Sequence, residues 1–150
     1  SKKIQSDFFF SNRDFFWPLP GFHTITSHFG PRKSPTTGSS SNHSGIDIAA
    51  PEGTNIYSVI DGIISYGDLM EQIGCTIITE NDNINVLYCH ISPNYIVNVG
   101  DNISKGSIVA RVGPKNVFSI PNNPYKDSNG NPTNGATTGC HLHLTIKKEA

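Results

Sequence analysis

Two histidines alternate with two leucines in the segment HLHL, residues 141–144. Successive side chains of a β-strand point to opposite faces, so Leu142 and Leu144 would share one face and His141 and His143 the other. The two imidazoles would then lie about 7 Å apart along the backbone, within reach of one small volume. Imidazoles placed in this way can bind a metal ion or accept a proton. An isolated pair is equally typical of the solvated face of an edge strand.

A second pattern, NHSGIDIA, places His43 four residues before Asp47. In a fully extended chain these residues would lie about 13 Å apart, too far to share one ion with bonds of about 2 Å. A helix would bring them together, but Gly45 and the isoleucines around Asp47 make a poor start to one. We therefore predict a bend at Ser44 and Gly45 that lets the two side chains converge. Taken alone, the pattern is more typical of a surface turn.

The two patterns together supply the ligands of a catalytic zinc site. Such a site takes three nitrogen or oxygen ligands from the protein and leaves one position open for water. His43, Asp47 and one histidine of the HLH segment provide three ligands. The sequence contains no HExxH motif, so the glutamate base of that motif is absent. The other HLH histidine is then the candidate that takes the proton of the water.

The remaining histidines have weaker patterns. His90 ends an alternating segment in which Val86, Tyr88 and His90 share one face, and we predict that its imidazole faces a cleft. A lone histidine on a strand is more often structural. His23 and His28 have no partner pattern and are interpreted as surface or rim residues.

The cysteines suggest an alternative mechanism, because Cys-His pairs serve peptidases and amidases. Cys89 and Cys140 each directly precede a histidine. Adjacent side chains of a strand point to opposite faces, so each thiol would point away from the neighbouring imidazole. We interpret both as core-facing residues that contact each other if their strands pair. Together with Cys75 they are too few for a disulfide scaffold, and an odd count leaves at least one thiol free or paired outside the chain.

Strands are the elements predicted to position these residues. Short β-branched runs recur between turns rich in Gly, Pro, Asn and Asp, whereas apolar residues at helical spacing are nearly absent. The runs cover residues 46–49, 55–60, 62–67, 75–80, 84–91, 107–112 and 141–146. This pattern predicts an all-β domain with an antiparallel sheet as its core.

Length and charge limit the classes of partner. The chain has 150 residues and a formal net charge of −1, which fits one compact domain with no basic surface for nucleic acid. No apolar run reaches the roughly 18 residues that span a bilayer, and the first residues lack the apolar core of a signal peptide. We predict no nucleic-acid partner and no membrane insertion for this segment. Residues 1–20 are interpreted as an extension or linker with hydrophobic anchors, and residues 21–150 as the domain.

Two long polar segments interrupt the rhythm of the strands, at residues 31–42 and 114–139. Loops of this length are uncommon in compact domains and are usually functional or disordered. Each leads to a histidine of interest, so we predict that they wall a groove beside the site. The candidate groove residues are Arg32, Asn116, Tyr125 and Asn134.

These segments, in their order along the chain, resemble the lysostaphin-type zinc endopeptidases, the M23 or LytM-like family. The matching segments are SHFGPR (27–32), HSGIDIAAPEGTNIYSVIDGIISYG (43–67), YCHIS (88–92), VNVGDNISKGSIVARVG (97–113) and TTGCHLHLTI (137–146). Leu144 departs from the usual phenylalanine after HLH. A larger departure, here called the insertion (residues 114–135), replaces a short connection, as in phage-borne and conjugation-associated members.

The resemblance implies that His43, Asp47 and His143 bind one Zn²⁺ ion, that His141 is the general base, and that His90 is a second catalytic imidazole. It implies a lysostaphin-type antiparallel β fold, like a duplicated hybrid motif, with the site in a loop-walled groove. The implied substrate is a peptide bond in the stem or cross-bridge of bacterial peptidoglycan, which implies an extracellular, cell-wall or virion-associated location. A non-catalytic scaffold on the same fold is the alternative, but scaffolds of this kind typically lack one or more of these five residues.

Overall fold

The computed structural model describes residues 15–27, 30–31, 42–43, 45–70, 74–82, 84–135 and 140–148. Within these ranges the chain forms eleven β-strands, so the predicted all-β fold is confirmed. The same ranges contain no helix of the length and apolar character needed to cross a membrane. The strands are β1 (Ile25–Ser27), β2 (Gly30–Pro31), β3 (Asn42–His43), β4 (Ile46–Ala49), β5 (Asn55–Tyr57), β6 (Gly62–Met70), β7 (Gly74–Glu80), β8 (Ile84–Cys89), β9 (Asn102–Ile103), β10 (Ile108–Arg111) and β11 (His141–Lys148).

Seven strands form one antiparallel sheet in the order β1-β4-β11-β8-β7-β6-β9. Strands β6, β7 and β8 pair consecutively, as expected of segments joined by short turns. By contrast, β11 lies between β4 and β8, so the last strand is inserted into the middle of the sheet. Strands β5 and β10 form a second, two-stranded sheet, and β2 pairs with β3.

The alternation of side chains along β4 and β11 separates the core from the polar face. Leu142 and Leu144 of β11 are fully buried, and Leu144 lies opposite the equally buried Ile46 of β4. The intervening residues are polar, and His143 lies opposite Asp47. Register partners share a face of a sheet, so apolar pairing on one face brings the histidine and the aspartate together on the other.

The second sheet completes the core. A single cluster of buried apolar side chains includes residues of the large sheet together with Ile56 of β5 and Val109 of β10. Tyr88 of β8 is fully buried within it. Its hydroxyl oxygen accepts a hydrogen bond from the Val59 amide at 2.9 Å and lies 3.3 Å from the hydroxyl of Thr79. These partners satisfy the one polar group of a large buried aromatic ring.

The end of the N-terminal segment packs against the second sheet. The Phe16 amide donates to the Val59 carbonyl at 3.0 Å, and the Tyr57 amide donates to the Pro18 carbonyl at 2.9 Å. These two bonds lie at the end of β5 and just beyond it, and Leu19, the residue after Pro18, is fully buried in the core. The described residues that we assigned to an extension therefore contribute one core side chain and backbone pairing to the domain.

Candidate active site

Strands β4 and β11 gather three of the predicted site residues on one face of the large sheet. Asp47 and His143 are register partners, and Nδ1 of His143 lies 2.7 Å from Oδ1 of Asp47. His141 lies two residues earlier on the same face, with its Nε2 3.5 Å from the same carboxylate oxygen. One oxygen atom is thus close to two imidazoles.

His90 reaches the same cluster from β8, the other neighbour of β11. Its ring centroid lies 4.9 Å from that of His141 and 6.0 Å from that of His143. Its Nδ1 lies 2.6 Å from the carbonyl oxygen of Asn134. Because a carbonyl oxygen only accepts, Nδ1 carries the proton and Nε2 keeps its lone pair. Burial, together with the nearby imidazoles, lowers the pKa of His90 to about 3, so the ring is neutral at neutral pH.

His90 reaches the cluster in a different way from the one that strand alternation predicted. That argument placed its side chain on the face of Val86 and Tyr88, but both of these residues are fully buried in the core. Strand β8 ends at Cys89, and His90 has a φ of 59°. This left-handed conformation is uncommon for a residue with a side chain. The backbone turn, and not alternation, brings the imidazole to the site.

His43, the third predicted metal ligand, lies on β3, where its backbone pairs with Gly30. Its side chain and Ser44 lie outside the described residues. The chain bends at Gly45, between β3 and β4. Gly45 is one of the two residues at which we predicted a bend. Gly45 is buried against β11, and a Cβ there would overlap the Leu144 carbonyl oxygen. Glycine is therefore needed at this bend because of close approach between backbones.

Hydrogen bonds of its own polar side chains hold the insertion together. Asn116 donates from Nδ2 to Oδ2 of Asp127 at 3.1 Å. The other carboxylate oxygen of Asp127 accepts from the backbone amides of Asn129 at 2.9 Å and Asn131 at 3.0 Å. The amide of Asn116, with help from these backbone amides, holds the pKa of Asp127 below its ordinary value.

We expect the insertion to loosen in acid because of Asp127. A carboxyl group whose pKa is lowered by folding stabilises the folded state above its unfolded pKa, about 3.9, and this contribution is lost as the pH falls through the lower folded value. Hydrogen-exchange protection of the Asn129 and Asn131 amides should therefore fall at acid pH. An Asp127→Asn variant should lose this pH dependence. If its protection falls in parallel with that of the unsubstituted protein, another group is responsible.

The four predicted groove residues have different environments. Arg32 lies outside the described residues, as does His28. The side-chain amide of Asn116 donates to the Pro132 carbonyl within the insertion. Tyr125 is half-buried in the insertion, and its backbone carbonyl accepts from the amide of Thr133 at 2.9 Å. Asn134 requires a correction, because its side chain is fully buried and does not line a groove.

Asn134 instead forms a brace behind His90. Its Oδ1 accepts a hydrogen bond from the Cys75 amide at 2.8 Å. Its Nδ2 donates to the carbonyls of Ile91 at 2.8 Å and Pro114 at 3.3 Å. Its own carbonyl accepts from His90. Sequence reasoning missed this role because an asparagine before a glycine is the usual sign of a turn, and nothing local indicates the distant partners.

The cysteines also differ from the prediction. Cys89 lies opposite His143 in the register of β8 and β11, so it is on the site face of the sheet, where it is fully buried. Burial raises the pKa of its thiol to about 12, so the thiol stays protonated and is a poor nucleophile. Cys140 is exposed, and both cysteines are free thiols. The predicted core-facing position is therefore wrong for Cys140, and the Cys-His mechanism loses its nucleophile at Cys89.

An aspartate and two histidines on one face of the sheet, with a third histidine turned toward them, supply the kinds of group that a metal-dependent hydrolase uses to bind metal and transfer protons. The chain belongs to peptidase family M23, whose model matches residues 41–150. This finding confirms the resemblance inferred from the sequence motifs.

Similar proteins are peptidases, in agreement with membership of this family. The DD-carboxypeptidase/endopeptidase Mpg of Neisseria meningitidis is 30% identical over 112 residues, which are 73% of this chain and 26% of Mpg. The peptidoglycan DD-endopeptidase ShyC of Vibrio cholerae is 26% identical over 124 residues, 81% of this chain and 24% of ShyC. The chain thus spans about a quarter of the length of these relatives. The crystal structure of a zinc-containing peptidase from Vibrio cholerae superposes with a TM-score of 0.69 at 28% identity, covering 91% of this chain and 37% of that chain.

Proposed function

We propose that this domain is a zinc-dependent endopeptidase that hydrolyses peptide bonds in the stem or cross-bridge of bacterial peptidoglycan. The observation that carries the proposal is the approach of His141 and His143 to one carboxylate oxygen of Asp47, with His90 packed beside them. Membership of family M23 and the names of the relatives support the substrate class. Such a substrate places the protein outside the cytoplasm, at the cell wall or on a virion.

The kinds of donor atom fit a zinc ion. An imidazole nitrogen and a carboxylate oxygen are ligands of catalytic zinc sites, and Nδ1 of His143 and Oδ1 of Asp47 are close enough, at 2.7 Å, for a small separation to admit an ion between them. The described side chains alone do not form a group of three metal ligands, so the proposal requires His43 as the third. When bound, zinc would polarise the scissile carbonyl and lower the pKa of a coordinated water toward about 7.

The other two imidazoles would accept the proton of the attacking water and orient that water. His141 lies next to the proposed ligand Asp47 without being its register partner, which suits a general base beside the metal. His90 donates from Nδ1 to Asn134, so its Nε2 can only accept a hydrogen bond. An acceptor at this place orients the attacking water, whereas stabilising an oxyanion requires a donor. We therefore assign His90 to orienting the water.

A zinc and digestion experiment tests the proposal. The purified protein should contain one zinc ion per chain, release peptide fragments from peptidoglycan as identified by mass spectrometry, and lose this activity to a chelator. An Asp47→Ala variant should bind zinc at least about 100-fold more weakly and release no fragments, because one of three ligands is lost. A Cys140→Ser variant, which changes an exposed thiol, is the matched control and should keep full activity.

Other outcomes separate the alternatives. A protein that is purified without zinc and stays inert when zinc is added would overturn the proposal. A zinc-loaded protein that binds peptidoglycan without cutting it would instead be a scaffold. Activity that survives chelation but is lost on thiol alkylation would indicate the Cys-His mechanism.

A further inference from the structure

Thr145 contacts His143 on the side of the ring that faces away from Asp47. Its hydroxyl oxygen lies 3.2 Å from Nε2 of His143, whereas Nδ1 lies 2.7 Å from the carboxylate. Thr145 is 4% exposed and His143 is 8% exposed, so this contact is buried. The two ring nitrogens of His143 therefore have chemically different neighbours, one an anionic candidate ligand and the other a neutral hydroxyl.

A metal ligand needs this kind of asymmetry. A neutral imidazole carries one proton, so a ring that binds metal through one nitrogen has its proton on the other. That second nitrogen usually donates to an oxygen, which fixes both the tautomer and the ring orientation. Without metal, Nδ1 donates to the Asp47 carboxylate at 2.7 Å. With a zinc ion between these two groups, Nδ1 would give up its proton, Nε2 would carry the proton, and the Thr145 hydroxyl would accept it.

Thr145 is itself held firmly. Its backbone pairs with that of Leu87 across β11 and β8. The bend that carries the chain from β3 to β4 lies directly over its hydroxyl, because a Cβ on Gly45 would come within 2.6 Å of that oxygen. Threonine is β-branched and has few side-chain rotamers. The acceptor oxygen is therefore placed by packing and by sheet pairing before any metal binds.

We propose that Thr145 is a positioning residue of the metal centre. Its hydroxyl accepts the Nε2–H of His143 and holds this ring in the tautomer that presents the Nδ1 lone pair to zinc. The inference rests on the proposed zinc function, and it adds a residue that makes no contact with the metal. The residue that follows the HLHL segment thus contributes to metal affinity through a hydrogen bond.

Two substitutions separate the hydroxyl from the packing of Thr145. Thr145→Val keeps the branched shape and removes the acceptor, whereas Thr145→Ser keeps the acceptor and removes a methyl group. The zinc dissociation constant, measured by competition with a chelating fluorophore, should rise about 10- to 100-fold for the valine variant. The serine variant should stay close to the unsubstituted protein. Nitrogen-detected NMR of the zinc-bound protein should show a protonated Nε2 on His143 that exchanges slowly in the serine variant and rapidly in the valine variant.

The outcomes distinguish this inference from the function on which it rests. Equal zinc affinity of the valine variant and the unsubstituted protein would overturn the role of Thr145 and leave the zinc proposal intact. Equal weakening by valine and serine would also overturn it, since packing would then be responsible. A folded unsubstituted protein that binds no zinc would overturn the proposed function and this inference with it. Thermal unfolding in the presence of chelator verifies that each variant is folded.

Discussion

A Gly45→Val variant is expected to lose zinc binding and much of its stability, although the substitution changes no candidate ligand. A Cβ at this position would overlap the carbonyl oxygen of Leu144 and lie 2.6 Å from the hydroxyl of Thr145. Both groups belong to β11, so the bend must move away from the strand that carries His143. Overpacking a core usually costs about 1–3 kcal/mol, and because a backbone carbonyl yields less than a side chain, we expect about 3 kcal/mol or more.

Denaturant unfolding in the presence of chelator measures this loss, and chelator competition measures zinc affinity. Gly45→Ala should give a smaller effect in the same direction. Gly53→Ala is the control, because Gly53 has a φ of 86° and open space around the added Cβ. That variant should cost about 1 kcal/mol of backbone strain and leave zinc affinity unchanged. A Gly45→Val variant that binds zinc normally would show that the site does not depend on this close approach.

An Asn134→Ala variant is expected to lose most of its activity while keeping its zinc affinity. The substitution leaves the amide of Cys75 and the carbonyl of Ile91 buried without their partner, at about 1–3 kcal/mol for each. It also frees the backbone whose carbonyl holds the ring of His90. Because Asn134 contacts no candidate ligand in the described structure, the metal should stay bound. We expect kcat to fall at least about tenfold, since general acid–base and water-positioning groups are typically worth more than that.

Asn123→Ala is the matched control for this prediction. Asn123 is also a buried asparagine of the insertion, where it donates to the Thr133 carbonyl at 2.7 Å and accepts from the Tyr125 amide at 3.0 Å. These bonds stay within the insertion. Loss of the Asn123 side chain should lower stability without lowering kcat. The kcat of both variants is measured at a temperature below their unfolding transitions. Equal losses of kcat in the two variants would attribute the effect to the insertion as a whole and not to His90.

The parts of the fold that could be predicted from the sequence are those set by local alternation. The segment IDIA was predicted as a strand and forms β4 with the same bounds, Ile46–Ala49. Its isoleucines are fully buried, and this burial fixes the opposite orientation of Asp47. The same reasoning placed both HLH histidines on one polar face. Burial of the apolar side chains fixes the register of these strands, since a shift of one residue would move those side chains to the solvent-facing side.

The remaining features depend on partners that are distant in sequence. Asp47 and His143 are 96 positions apart, and no local pattern specifies that β11 enters the sheet between β4 and β8. The alternation argument for His90 assumed that β8 continues, but the strand ends one residue too early. The positive φ that follows is imposed by surrounding contacts and not by the residue type. For the same reason the burial of Asn134 could not be read from its neighbours in the chain.

The insertion has its two ends tied together at the base. The Asn134 amide donates to the Lys115 carbonyl at 2.9 Å, and the Asn134 side chain reaches Pro114. Doubling the length of a loop with fixed ends costs only about 0.6 kcal/mol of closure entropy. Beyond the base, Phe118 is 72% exposed and little constrained by packing. Insertions or substitutions in the outer part of this loop should therefore change the chemistry of the proposed groove wall, while the base of the loop keeps the ring of His90 in place.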